Sequence, residues 1–147
     1  MNAVDRLVAI EDIKLLKARY FRMIDSKNWP GFGALFAADA SFDISDDIPG
    51  CVITGSANIL RAVVPSLTEA VSVHHGYCPE IEITSGVLAN GIWAMEDVLR
   101  WPEGSASPIK SLHGYGHYLE TYRRINGQWL IQSLQLKRLR VDIESWQ

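Results

Sequence analysis

The sequence predicts an α+β domain in which N-terminal helices pack on one face of a curved antiparallel sheet. Three observations carry this expectation. Residues 4–24 place apolar side chains at helical spacing. From residue 71 onward the pattern changes to long strand-like runs, expected over 71–84, 87–101, 109–125 and 128–142. Asn126-Gly127 stands between Tyr122-Arg123-Arg124-Ile125 and Gln128-Trp129-Leu130-Ile131, the residue pair that a two-residue hairpin turn favours. A strongly curved sheet over helices would leave a cone-shaped cavity. The 147 residues, 48% of them hydrophobic, are expected to form one domain over 1–147 with a substantial core.

In the first helix Leu7, Ile10, Leu16, Ala18, Tyr20, Phe21 and Ile24 form the apolar stripe, with Glu11, Asp12, Lys14 and Lys17 mostly elsewhere. Asp25-Ser26-Lys27-Asn28 ends it. A short second helix is expected over 29–37, with Pro30 near its start. A strand over 40–44, a turn over 46–50 and a return strand over 51–54 follow. Ser56 is the expected cap of a third helix buried through Ile59, Leu60, Val63 and Val64, which Pro65 ends or kinks.

Composition excludes several functions. A net charge of −3 gives no attraction to nucleic acid or an anionic membrane. No apolar run approaches the ~20 residues of a membrane span, and the N-terminus lacks the basic-then-apolar pattern of a secretory signal. Two cysteines, Cys51 and Cys78, without zinc spacing fit a reduced cytoplasmic chain, and Cys78 is expected as a buried thiol. No nucleophile elbow, phosphate loop, zinc-protease or dinucleotide motif occurs.

The chemistry-bearing residues are read from strand alternation. His74, Gly76 and Cys78 point one way, and Val73, His75 and Tyr77 the other, so one histidine enters a given cavity. On the next strand Trp93, Met95, Asp97 and Leu99 share a face. An aspartate on an apolar face is costly to bury without a partner, and a histidine on the adjacent strand is the natural one; alternatively Asp97 is exposed near a strand end. Tyr20 lies on the buried stripe, where a phenol needs a hydrogen-bond partner, or it is an ordinary core aromatic. Asp25 is either turned toward the same opening or a helix-end residue. His113 and His117, with Tyr115 between them, stand roughly 13 Å apart on one strand face at ~3.3 Å per residue, too far to chelate one metal; surface or subunit-interface roles are expected. Gly114, Gly116 and Tyr118 face the other way, the glycines leaving room for a ligand or a bend.

Several segments resemble the SnoaL-like branch of the NTF2-like (cystatin-like) superfamily across nearly the whole chain. They are Ile13-Lys14-Leu15-Leu16-Lys17-Ala18-Arg19-Tyr20 leading to Asp25, Leu35-Phe36-Ala37-Ala38-Asp39-Ala40-Ser41-Phe42, Val73-His74-His75-Gly76 before Ile81-Glu82-Ile83, and Glu120-Thr121-Tyr122-Arg123-Arg124-Ile125-Asn126-Gly127-Gln128-Trp129-Leu130-Ile131. The resemblance implies a cone-shaped barrel, and is nearest to the scytalone dehydratase and bile-acid 7α-dehydratase group of cofactor-free lyases. It implies Tyr20, Asp25, His74, Asp97 and Arg138 as catalytic residues, with Arg140 the alternative to Arg138. A lysine in place of Tyr20, and an arginine near Leu134, would mark dehydrochlorination, which is disfavoured. Small polar residues where Gly116 and Tyr118 stand would mark scytalone as substrate.

The expected function is therefore a cofactor-independent, dehydratase-type elimination on a small hydrophobic cyclic or polycyclic ketone or hydroxy compound. Trp93, Met95, Gly116, Tyr118 and Leu134 are expected to bind substrate, with Leu99, Leu112 and Leu136 adding to an apolar pocket. No metal or organic cofactor is required. The alternatives are a ketosteroid-isomerase-like or polyketide-cyclase-like isomerase, or a non-catalytic small-molecule-binding or assembly protein. The resemblance also implies self-association, as a trimer or, in other branches, a dimer.

Overall fold

The computed structural model describes residues 1–147. In chain order the elements are α1 (Ala3–Asp25), α2 (Trp29–Gly33), β1 (Phe36–Asp43), β2 (Val52–Thr54), α3 (Ser56–Leu67), β3 (Val71–Ile83), β4 (Leu88–Arg100), β5 (Ile109–Ile125) and β6 (Gln128–Ser145). The strands form one curved, unclosed sheet of order β2-β1-β6-β5-β4-β3. β3 to β6 form an antiparallel meander, but β1 runs parallel to β6. The sheet is therefore mixed where the sequence pointed to antiparallel pairing throughout.

Asn2 starts α1 through a capping box with Asp5, each side chain bonding the other's backbone N–H. The buried face is Ala9, Ile13, Leu16, Lys17, Tyr20 and Ile24. Leu7 and Ala18, expected on that stripe, are exposed, and Lys17, expected off it, is inside. Spacing explains this: Lys17 follows Ile13 by four residues and precedes Tyr20 by three, so all three share one face. α1 packs over β3 and α3 over β1.

Four boundaries differ from expectation. α2 stops at Gly33, and β1 begins at Phe36, so residues 34–37 do not continue the helix. Phe36 is buried there among the rings of Tyr20, Phe32 and Phe42. Gly55, with φ of 97°, caps α3 in place of Ser56, and the helix runs two residues past Pro65.

On β3 the inward parity changes along the strand. Tyr77 pairs with Ala94 and Glu80 with Ile92, so β3 carries one extra residue at Cys78-Pro79. Cys78 takes a positive φ of 44° at this bulge and is exposed, not a buried thiol. Before the bulge Ser72, His74 and Gly76 face α1; after it Ile81 and Ile83 do. Cys51 is also a free thiol. No helix is long and apolar enough to cross a membrane.

Candidate active site

His74 stands opposite Asp97 in the β3–β4 ladder and is 6% exposed. Its ring, however, is held by Asp25, the last residue of α1. The Asp25 carboxylate accepts hydrogen bonds from His74 Nδ1 at 2.7 Å, from the His74 backbone N–H at 2.8 Å and from Ser72 Oγ at 3.0 Å. A carboxylate only accepts, so Nδ1 carries the hydrogen; in the neutral ring the lone pair is then on Nε2. Three bonds from one strand segment to one carboxylate also pin the end of α1 onto β3.

Asp97 belongs to a second cluster, which corrects the expected pairing with histidine. Arg138 of β6 donates to Asp97 from Nη1 at 2.6 Å and from Nη2 at 3.0 Å. It donates to Asp47 from Nε at 2.8 Å and Nη2 at 3.0 Å, and from Nη1 to the Met95 sulfur. All five guanidinium hydrogens thus have acceptors. Burial opposes the Arg138 charge, but the hydrogen bonds and charges of Asp97 and Asp47 outweigh it and hold the group above its usual range. Arg140, the alternative candidate, is mostly exposed and pairs with Asp142.

Gly114 makes the Arg138–Asp97 pair sterically feasible. A Cβ there would overlap the guanidinium and the Asp97 carboxylate. Gly116 serves a bend instead: the β5–β6 register shifts between Tyr115 and Gly116, and a Cβ at Gly116 would meet the Lys137 carbonyl.

Beneath these groups lies a third cluster. Lys17 and Glu120 form a fully buried ion pair at 2.8 Å. Lys17 Nζ sits 3.7 Å from the centre of the Tyr20 ring and 3.8 Å from that of Tyr118. Glu120 also accepts from the Tyr122 hydroxyl at 2.7 Å, which in turn accepts from Trp93 Nε1 at 2.9 Å. Burial pushes the Lys17 ammonium below its usual range, against the pull of Glu120. Burial raises the phenol of Tyr20, with Glu120 adding to the effect. Tyr20 therefore stays a neutral hydroxyl.

The three clusters meet at a cavity of about 150 Å³ lined by Tyr20, His74, Asp97, Tyr118 and Arg138 among mainly apolar neighbours. Leu99, Leu112, Leu134 and Leu136 from the sheet, Ile24 from α1, Val63 and Leu67 from α3, and Phe42 and Ile44 supply its greasy wall. Of the expected substrate-binding residues, Tyr118 and Leu134 are in this lining. Trp93, Met95 and Gly116 are not. Trp93 is spent on Tyr122 and opens toward Phe21 and Gly76 outside the cavity, Met95 lies behind Arg138, and Gly116 is at the strand irregularity.

Sequence reasoning missed Asp47, Ser72, Lys17 and Glu120. Strand alternation carried a signal for Glu120, which shares inward parity with Tyr118 and Tyr122. Asp47 lies in the turn between β1 and β2, where no periodicity operates. His113 and Tyr115 stack at 4.5 Å on the outer sheet face, with His113 beside Glu96 at 3.2 Å. No three His, Cys, Asp or Glu side chains converge as a metal site would require.

The SnoaL-like domain model matches residues 5–135. A structure provisionally named a scytalone dehydratase, from Novosphingobium aromaticivorans, superposes with a TM-score of 0.85 at 20% identity, over 99% of this chain and 94% of that one. A type-2 hexachlorocyclohexane dehydrochlorinase (LinA) gives 0.83 at 19% identity, over 98% and 94%. A Mycobacterium tuberculosis protein described as of unknown function gives 0.76 at 24% identity, over 91% and 78%. These likenesses show the shared fold, and the family match spans most of the sequence: the chain belongs to the SnoaL-like domain family, within the NTF2-like superfamily.

Proposed function

We propose that the protein is a cofactor-independent lyase that eliminates water from a small, ring-shaped hydroxy-ketone. The observation that carries this reading is the 2.7 Å contact between His74 Nδ1 and Asp25, with the imidazole lining an apolar cavity. Asp25 fixes the tautomer and supports positive charge on the ring, which is what a general base requires. His74 Nε2 takes the proton on the carbon next to the carbonyl. The electron pair moves onto the carbonyl oxygen, where Tyr20 donates a hydrogen bond to the developing oxyanion. The enolate then re-forms the carbonyl, a carbon–carbon double bond forms, and the β-hydroxyl leaves as water with the proton from His74.

The dehydratase-like and dehydrochlorinase neighbours support a lyase-type reading. Size supports a single ring as the substrate, since a cavity of about 150 Å³ matches one benzene-sized group. Where the substrate lacks a leaving group, the same residues return the proton at another carbon and shift a double bond. The open hollow and the acidic neighbour of His74 argue against an inert binding or assembly role. Assembly as a trimer and residence in a reducing cytoplasm belong to the same proposal, the latter supported by two free thiols.

The test compares cyclic β-hydroxy-ketones with cyclic β,γ-enones, following water loss by mass spectrometry and conjugation by ultraviolet absorbance. Turnover of the hydroxy-ketones, lost in His74→Ala, supports elimination. Turnover of the enones alone replaces it with isomerisation.

A further inference from the structure

One shielded charge lies outside the three clusters. Lys27 follows Asp25 by two residues, and its Nζ is closed off from solvent with no hydrogen-bond partner. The backbone brings it there. The N–H groups of Lys27 and Asn28 bond the carbonyls of Ile24 and Met23, a double closure of the α1 C-terminus that turns on one left-handed residue. That residue is Lys27, with φ of 58°. Glycine or asparagine takes this conformation with least strain, so the turn does not call for a lysine. An ammonium with neither partner nor water does not serve stability either. Burial lowers the Lys27 ammonium below its ordinary value, and the charge that opposes this is that of Asp25.

Asp25 gains from such a neighbour. It is the last residue of α1, where the helix dipole is negative and disfavours a carboxylate. Its hydrogen bonds come from Ser72 and His74, and all three donors are uncharged while the imidazole is neutral. The charged groups around the imidazole are Asp25 from α1, Asp97 from β4, Asp47 from the β1–β2 turn and Arg138 from β6. Tyr20 and Tyr118 line the same cavity as neutral hydroxyls. Three carboxylates and one guanidinium leave two negative charges, which favour the protonated imidazole, and a protonated imidazole cannot accept a proton. A cation beside Asp25 halves that excess.

We propose that Lys27 is a positioning residue: its ammonium, set near Asp25 by the left-handed turn, keeps that carboxylate ionised and the His74 imidazole unprotonated, so that Nε2 is free to act as a base. This deepens the elimination reading and rests on it only for what the base then does. Lys27 is absent from the cavity lining, so it acts on the charge of the Asp25–His74 pair and not on the substrate.

The test is the titration of the histidine side chains in the full chain without substrate, followed by proton–nitrogen NMR. In Lys27→Met the His74 midpoint is expected to rise by about half a pH unit or more, the effect of losing one charge several ångströms away in a screened interior. In Lys27→Arg, which keeps the charge, it is expected to stay within about 0.2 of the wild-type midpoint. His113 and His117 of β5 are the controls and stay fixed. A His74 midpoint that moves no more than theirs, that falls, or that moves alike in both variants overturns the proposal. Should Lys27→Met not fold, the wild-type chain answers through the ¹³C signals of the Asp25 carboxylate and Lys27 Cε. The Asp25 signal is expected to move at the alkaline pH where Lys27 loses its proton; an Asp25 signal that stays still there overturns the proposal. A raised His74 midpoint in Lys27→Met, with no turnover of any hydroxy-ketone or enone by the wild-type chain, contradicts the elimination reading and leaves the role of Lys27 standing.

Discussion

Asp97 faces His74 across the β3–β4 ladder, yet gives its carboxylate to Arg138 at 2.6 Å and leaves the imidazole to Asp25. The two acids next to one histidine thus have separate duties. Asp25→Asn is expected to lower turnover by about 10² or more, because an amide neither fixes the tautomer nor balances an imidazolium. Its thermal stability should change little more than one part-buried hydrogen-bond set requires. Asp97→Asn is expected to do the reverse: turnover falls less than about tenfold, while stability drops by ~1–3 kcal/mol as the guanidinium loses the more buried of its two carboxylates. Steady-state kinetics beside urea unfolding separates them.

Gly114→Ala places a methyl group where the Arg138 guanidinium and the Asp97 carboxylate meet. The pair must part or the β5 backbone must shift, and the expected cost is ~1–3 kcal/mol, the range for overpacking. Thermal unfolding measures it. Gly86→Ala, at a turn glycine with no neighbour within reach, is the matched control and should be near neutral.

Asp47 is the more exposed arm of the clamp, at 29% against 6% for Asp97. Asp47→Ala should cost under ~1 kcal/mol, as a solvent-screened pair does. Its effect should appear instead as faster amide exchange in residues 44–51, since the Arg138 contact ties that turn to β6. Unchanged exchange there contradicts the clamp.

Burial holds the phenols of Tyr20, Tyr118 and Tyr122 above their ordinary value of 10.0. Above pH 10 the unfolded chain releases these protons while the fold keeps them, so their contribution to stability is intact below about pH 10 and lost as pH rises further. Lys17 acts oppositely: its depressed value means that stability gains with pH up to its unfolded value of 10.5. Beyond that only the tyrosine loss remains. A spectrophotometric titration should show three tyrosines ionising together, at the pH where near-ultraviolet circular dichroism collapses. Ionisation of all three in a chain that keeps its dichroism contradicts their burial.

The parts legible in the sequence are those governed by a period. Alternation put His74 and His75 on opposite faces, with the resemblance selecting His74 for the cavity, and put Asp97 on the apolar face of β4; residue type located the Asn126-Gly127 turn. The illegible parts depend on how elements dock. That Asp25 reaches His74 follows from where the end of α1 meets β3. That Arg138 takes Asp97 follows from the side-by-side docking of β4, β5 and β6, where Gly114 of the intervening strand has no side chain to stand between them. Cys78 misled because one inserted residue reverses parity at the Cys78-Pro79 bulge. Lys17 misled because charge argues for solvent, whereas its position between Ile13 and Tyr20 argues for the core and Glu120 makes that position tenable.

In the proposed reaction an Asp25-held imidazole at residue 74 removes a carbon-bound proton inside the cavity. The most direct measurement is exchange of solvent deuterium into the ring carbon beside the carbonyl of 3-hydroxycyclohexanone, followed by mass spectrometry together with water loss. The wild-type chain should catalyse both, and His74→Ala should slow them by at least about 10². Equal rates in the two proteins, within about tenfold, would contradict the claim, because a general base contributes 10²–10⁴.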